Sequence, residues 1–134
     1  KLPIVYQIEE VSVSEINEFG IGWANRQVFE RLMARVKATI YIVDGNLKFA
    51  NPAVRTLIKG DDKCYQVMLA SIIAKVYRDR LMISLHQDFP HYGWDKNSCY
   101  SSKHHLDVLR TRGSCLHHRL QYVATAMSHH LSVG

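Results

Sequence analysis

The chain has 134 residues, 47% hydrophobic and 22% charged, with 17 Lys and Arg against 12 Asp and Glu and a formal charge of +5. That length and apolar content suit one compact domain with a small core and exclude a disordered or fibrous chain. No stretch approaches the roughly 20 apolar residues that span a bilayer, and the basic balance, with a pI near 9.2, suits a polyanionic partner. Three cysteines without Cys-x-x-Cys spacing argue against a disulfide framework. They favour a reducing, intracellular compartment, either cytoplasm or an organelle interior.

In chain order, Ile4 to Ile8 reads as a short strand, and Ser12 or Ser14 as the cap of a short helix ending near Gly20. Asn25 reads as the cap of a longer helix, with Val28, Phe29, Leu32, Met33 and Val36 on one face. Thr39 to Val43 is β-branched and aromatic, as in a buried strand, and Arg55 to Ile58 makes another. Helices follow over about Tyr65 to Asp79, Arg80 to Asp88 and, after a loop through Pro90 and Gly93, Ser102 to Arg112. Strands feeding helices place the chain in the α/β class.

Two carboxylates stand where strands run out: Asp44 after Tyr41-Ile42-Val43, and Asp61 after Leu57-Ile58-Lys59-Gly60. Carboxylates raised at strand ends can hold a divalent cation against a phosphate, because hard cations prefer oxygen. Asp beside Gly is also ordinary turn chemistry, and the two readings stand side by side.

On the next helix, Ser71, Lys75 and Asp79 recur every four residues opposite an apolar stripe of Leu69, Ile73, Val76, Tyr77 and Leu81. A hydroxyl and an ammonium one turn apart can grip a phosphate backbone without reading sequence. A solvated face with a Lys75–Asp79 pair fits the same spacing. His104-His105, His117-His118 and His129-His130, with Cys99 and Cys115, do not follow the usual zinc spacings. Trp23 and Trp94 read as core or loop anchors.

The order of these segments resembles ribonuclease HII, the type 2 ribonuclease H family. The resemblance is carried by Val43-Asp44-Gly45, Lys59-Gly60-Asp61, Ala70-Ser71-Ile72-Ile73-Ala74-Lys75-Val76-Tyr77-Arg78-Asp79-Arg80, Phe89-Pro90-His91-Tyr92-Gly93-Trp94, Tyr100, and His118-Arg119. It runs from about Ile4 to about Val123. It implies an incomplete ribonuclease H-like fold, a mixed sheet flanked by helices with a C-terminal helical part, in a single domain over residues 1–134. It further implies a metal-dependent endonuclease that cleaves the RNA strand of RNA–DNA hybrids with Mg²⁺ or Mn²⁺. By the same resemblance Asp44 and Asp61 are catalytic metal ligands, Tyr100 lies near the ribose, and Ser71 and Lys75 meet the backbone.

The family's Asp-Glu-Ala-Gly-Arg-Gly strand, which brings the other two carboxylates, has no counterpart here, and Asn97-Ser98-Cys99 replaces the family's His-Lys-Gly before Tyr100. The chain is therefore expected to be N-terminally truncated relative to the family and inactive by itself. A second polypeptide or larger assembly is expected to cover the sheet. The alternative is a non-catalytic structural or binding component of an RNA-containing complex.

Overall fold

The computed structural model describes residues 4–97 and 102–131. The architecture is α/β and mostly helical. Helices α1 (Val13–Phe19) and α2 (Ile21–Arg35) precede strands β1 (Tyr41–Asp44) and β2 (Val54–Leu57). The short α3 (Gly60–Lys63) and long α4 (Tyr65–Asp88) follow, then a 3₁₀ turn (Pro90–Tyr92), α5 (Trp94–Asn97), α6 (Lys103–Arg112) and α7 (Leu120–Leu131). Two compact units share the chain. One takes the residues up to Val11 with Gly22–Val76, the other Ser12–Ile21 with the chain from Tyr77 onward.

The first unit is organised by β1 and β2, which pair in parallel with Tyr41 opposite Val54 and Asp44 opposite Leu57. Among the described residues the sheet has these two strands. Val43 is buried, while Ile42 on the adjacent position is 46% exposed, so the alternation of a strand directs one face inward. Tyr41 ties the end of α2 to the strand, its hydroxyl donating to the Val36 carbonyl at 2.9 Å and accepting from the Ala38 N–H at 3.2 Å. The loop 45–53 that crosses from β1 to β2 leans on α2: Phe49 meets Phe29 edge-on at 6.0 Å, and Arg26 donates to the Lys48 carbonyl at 2.6 Å.

Ile4 to Ile8 does not form the expected strand. It runs as extended coil with Ile4, Val5 and Tyr6 exposed, and no strand pairs with it among the described residues. β-Branched composition favours a strand only where a neighbour supplies the hydrogen bonds. Glu9, just beyond, is held by Arg35 of α2 at 2.8 Å.

The second unit begins with α1, whose start is a full capping box: the Ser12 N–H donates to Glu15 at 2.9 Å and the Glu15 N–H to the Ser12 hydroxyl at 3.3 Å. Gly20 at φ 87° ends it, a conformation that side chains disfavour. Helix α2 starts at the next residue, so Asn25 lies inside it rather than capping it.

Helix α4 is continuous where a break near Asp79 and Arg80 was expected, because neither Gly nor Pro interrupts it. Its expected apolar stripe is half-buried to exposed; the buried positions are Val67 and Met82. Met82, Tyr92, Trp94 and Leu109 form the core of the second unit, with Leu85, Phe89 and Val123 packed against them. Trp94 is fully buried and stacks on Tyr92 at 4.9 Å, the anchoring role expected of it.

Candidate functional site

Asp44 closes β1, and its position follows from the strand's register. The ladder continues one bond past it, from the Gly45 N–H to the Leu57 carbonyl at 3.1 Å. Gly45 then turns the chain away at φ 104°. The chain leaving β2 turns back through Lys59, the one non-glycine with positive φ among the described residues, at 55°. This turn delivers the Gly60 N–H to Asp44, whose Oδ1 accepts it at 2.8 Å.

A side chain at Gly60 would be tight. A Cβ would stand 3.2 Å from Val67 Cγ1, 3.4 Å from Asp44 Oδ1 and 3.6 Å from Asp44 Cα. The missing side chain is what lets α3, the first turn of α4 and the strand end approach so closely. The motif Lys59-Gly60-Asp61 carried this information, although spacing alone did not assign the glycine a role.

Asp61 follows Gly60 directly, on α3 rather than on a strand, and is exposed. Its Oδ1 accepts the N–H of Asp62 at 3.1 Å. Asp44 and Asp61 are thus linked through one residue: the first grips the amide that precedes the second. Both are exposed acceptors, and a single N–H bond on each leaves most of a carboxylate's roughly four lone-pair directions for a cation. The donors fit Mg²⁺ or Mn²⁺ in kind. In number they are two, and among the described residues no cluster of three or more His, Cys, Asp or Glu gathers to hold a metal.

Ser71 and Lys75 are exposed on α4 within the same unit. The Ser71 hydroxyl donates to the Met68 carbonyl at 2.8 Å, so toward a phosphate it would have to exchange that bond. Tyr100 lies outside the described residues, as does Cys99. The side chains of His129 and His130 are likewise outside them.

The remaining histidines and Cys115 belong to the second unit. Cys115, spaced as Cys-x-x-His from His118, forms a hydrogen-bonded turn with it: the Cys115 N–H donates to His118 Nδ1 at 3.0 Å, and Sγ lies 3.2 Å from the same atom. On its other side His118 Nε2 lies 3.2 Å from His105 Nε2. Burial first, and the neighbouring His105 second, hold the His118 imidazole below its ordinary range. No helix among the described residues is long and apolar enough to cross a membrane.

Comparison with known proteins adds the following. The sequence model of the family described as Ribonuclease HII matches residues 5–125. A protein named Ribonuclease HII from Orientia tsutsugamushi (strain Boryong) is 38% identical over 119 residues, covering 87% of this chain and 58% of the relative. Those of the same name from Macrococcus caseolyticus (strain JCSC5402) and Helicobacter pylori (strain P12) are 36% and 33% identical, with 46% and 60% of their lengths covered. The chain spans about half the length of the curated relatives it matches.

Proposed function

The chain belongs to the ribonuclease HII family, and on that premise we propose that it contributes part of a metal-dependent endonuclease site for the RNA strand of RNA–DNA hybrids. The observation that supports this reading is the Asp44–Gly60 hydrogen bond, which ties the Asp44 carboxylate to the amide that precedes Asp61, at the end of a parallel strand pair. Strand ends of α/β sheets are where ligand clefts form.

In this reading Asp44 and Asp61 are the metal ligands. Mg²⁺ or Mn²⁺, when bound, supplies stabilisation of the charge that develops on the phosphate. The protein's own part is positional. Gly60 donates to Asp44 and so restricts the rotation of its carboxylate, which lowers the entropy lost when a cation is gripped. Lys75 neutralises phosphate charge on the substrate backbone, and Ser71 offers a hydroxyl one turn away. Tyr100 packs near the ribose, a role that rests on the family motif alone.

Two carboxylates are half of the four that the family uses, so the chain alone is proposed to be silent. The other two come from further polypeptide, of the same protein or of a partner, which also covers Ile40, Ile42 and Ile58, each about half exposed or more beside the strand pair. Residues 1–134 then act as one domain of that assembly, in a reducing compartment that suits the free thiols of Cys64 and Cys115.

The test incubates the chain with Mg²⁺ or Mn²⁺ and a duplex holding one ribonucleotide, beside an Asp44→Asn control. No cleavage by the chain alone is expected, and cleavage on adding a polypeptide that carries the Asp-Glu-Ala-Gly-Arg-Gly strand. Cleavage by the parent alone, lost in the control, would overturn the proposed silence. No cleavage even with the added strand would overturn the enzymatic reading and favour a non-catalytic component.

A further inference from the structure

The second unit contains two imidazoles that touch in its interior, and their hydrogen bonds determine where their protons are. His105 and His118 are 5% and 6% exposed. The Cys115 N–H points at His118 Nδ1 at 3.0 Å, and a backbone N–H can only donate, so Nδ1 is unprotonated. A neutral His118 must then carry its proton on Nε2. That atom faces His105 Nε2 at 3.2 Å, so His118 donates and His105 accepts. Each nitrogen at these two contacts already has a fixed role.

An added proton costs one of these two hydrogen bonds. On His118 it would have to occupy Nδ1, where it would oppose the Cys115 N–H. On His105 it would occupy Nε2, where it would oppose the proton of His118 Nε2. Either addition replaces a hydrogen bond by two donors face to face inside a site that water reaches poorly.

Around His118, Cys115 Sγ lies 3.2 Å from Nδ1 as a weak acceptor, and the other neighbours are mostly rings. Facing His118 are His105 from α6, His91 and Tyr92 from the Pro90–Tyr92 turn, and Cys115 and His117 from its own segment. Tyr92 approaches at 4.6 Å and Trp94 at 5.3 Å between ring centroids. Arg112, at the end of α6, faces Tyr92, and Asn17 of α1, uncharged, binds the His118 carbonyl at 3.2 Å. His117 and His91 act on His118 in the same direction as His105, disfavouring its charged form.

We propose that the His105–His118 pair is an acid-released latch, joining α6 to the segment that leads into α7 while both rings are neutral and parting when either takes a proton. The joined segment is the one that Asn17 also holds, through the His118 carbonyl and the Leu120 N–H at 2.8 Å. Release would therefore loosen the start of α7.

The sign follows from proton counting. The unfolded chain binds a proton at His118 near pH 6.5, whereas burial and His105 hold that ring neutral in the latched state. The latch's stabilisation is complete above that pH and is lost progressively as pH falls below it.

The test combines two readouts on the intact chain. Long-range ¹H–¹⁵N correlation of the histidine rings should show His118 as the Nε2–H tautomer, still neutral at pH 5.5 in molecules that remain folded. Thermal melts between pH 7.5 and 5.5 should show the parent losing about 4 °C more than His118→Asn, whose amide oxygen can replace Nδ1 but cannot titrate. His105→Gln, which keeps an acceptor for Nε2–H, should flatten the profile likewise. An Nδ1–H tautomer, or titration of His118 near 6.5 with the fold unchanged, overturns the latch. Should neither variant fold, the ring spectra of the parent decide alone.

Discussion

Asp44 Oδ1 accepts the backbone N–H of Gly60 at 2.8 Å, so the strand-end carboxylate and the residue before Asp61 are held by a direct bond rather than by proximity in sequence. A hydrogen bond to a charged acceptor contributes about 1.5–3 kcal/mol. It also restricts the Asp44 carboxylate, while Asp61, on the four-residue α3, accepts the Asp62 N–H at 3.1 Å.

Replacing Gly60 by Ala should cost about 1 kcal/mol, because the new Cβ would stand 3.2 Å from Val67 Cγ1, which must shift to admit it. Urea denaturation of parent and variant reads this as a lower midpoint with an unchanged slope. An equal midpoint would show that the close approach is not needed.

Asn17 acts at a distance, capping α7 by accepting the Leu120 N–H while its amide donates to the His118 carbonyl. Asn17→Ala should cost about 1–2 kcal/mol, in the range of a lost helix cap. Ser12→Ala, which removes a capping box on an exposed helix start, should cost about 1 kcal/mol. Chemical denaturation would rank the two, and a larger loss at Ser12 would contradict the weight given to the tertiary cap.

What was legible in the sequence was mostly local. Ser12 with Glu15, Gly20, and Ser102 before α6 carry cap chemistry within a few residues, and each stands where that chemistry directs. The strand expected over Thr39 to Val43 from β-branched composition is observed over Tyr41–Asp44. Ile4 to Ile8 has the same composition without a pairing neighbour among the described residues, and composition cannot report a partner's absence. The break expected near Asp79 has no helix breaker behind it, since neither Gly nor Pro lies between Tyr65 and Asp88. Of the candidate site, the two aspartates were visible as residues, but the bond that fixes Asp44 runs from a backbone amide, which leaves no trace in residue type beyond the glycine. The His105–His118 contact joins α6 to the loop before α7, and no periodicity encodes it.

Binding of an RNA–DNA hybrid should weaken steeply with salt, because cations that meet phosphates displace condensed counterions. Lys75→Ala should reduce the slope of log affinity against log salt by about one, with little dependence on sequence. A fluorescence anisotropy titration at several salt concentrations measures both. An unchanged slope would remove Lys75 from the interface.

The central claim is that Asp44 and Asp61 share one cation, and the most direct measurement is Mn²⁺ binding followed by the loss of the free-ion electron paramagnetic resonance signal. The parent should bind weakly. Asp44→Asn and Asp61→Asn should each lower the affinity at least tenfold, equivalent to about 1.4 kcal/mol, while Asp62→Asn, next to them on α3, should change it less than threefold. Equal affinity in the parent and in both variants would contradict the shared site.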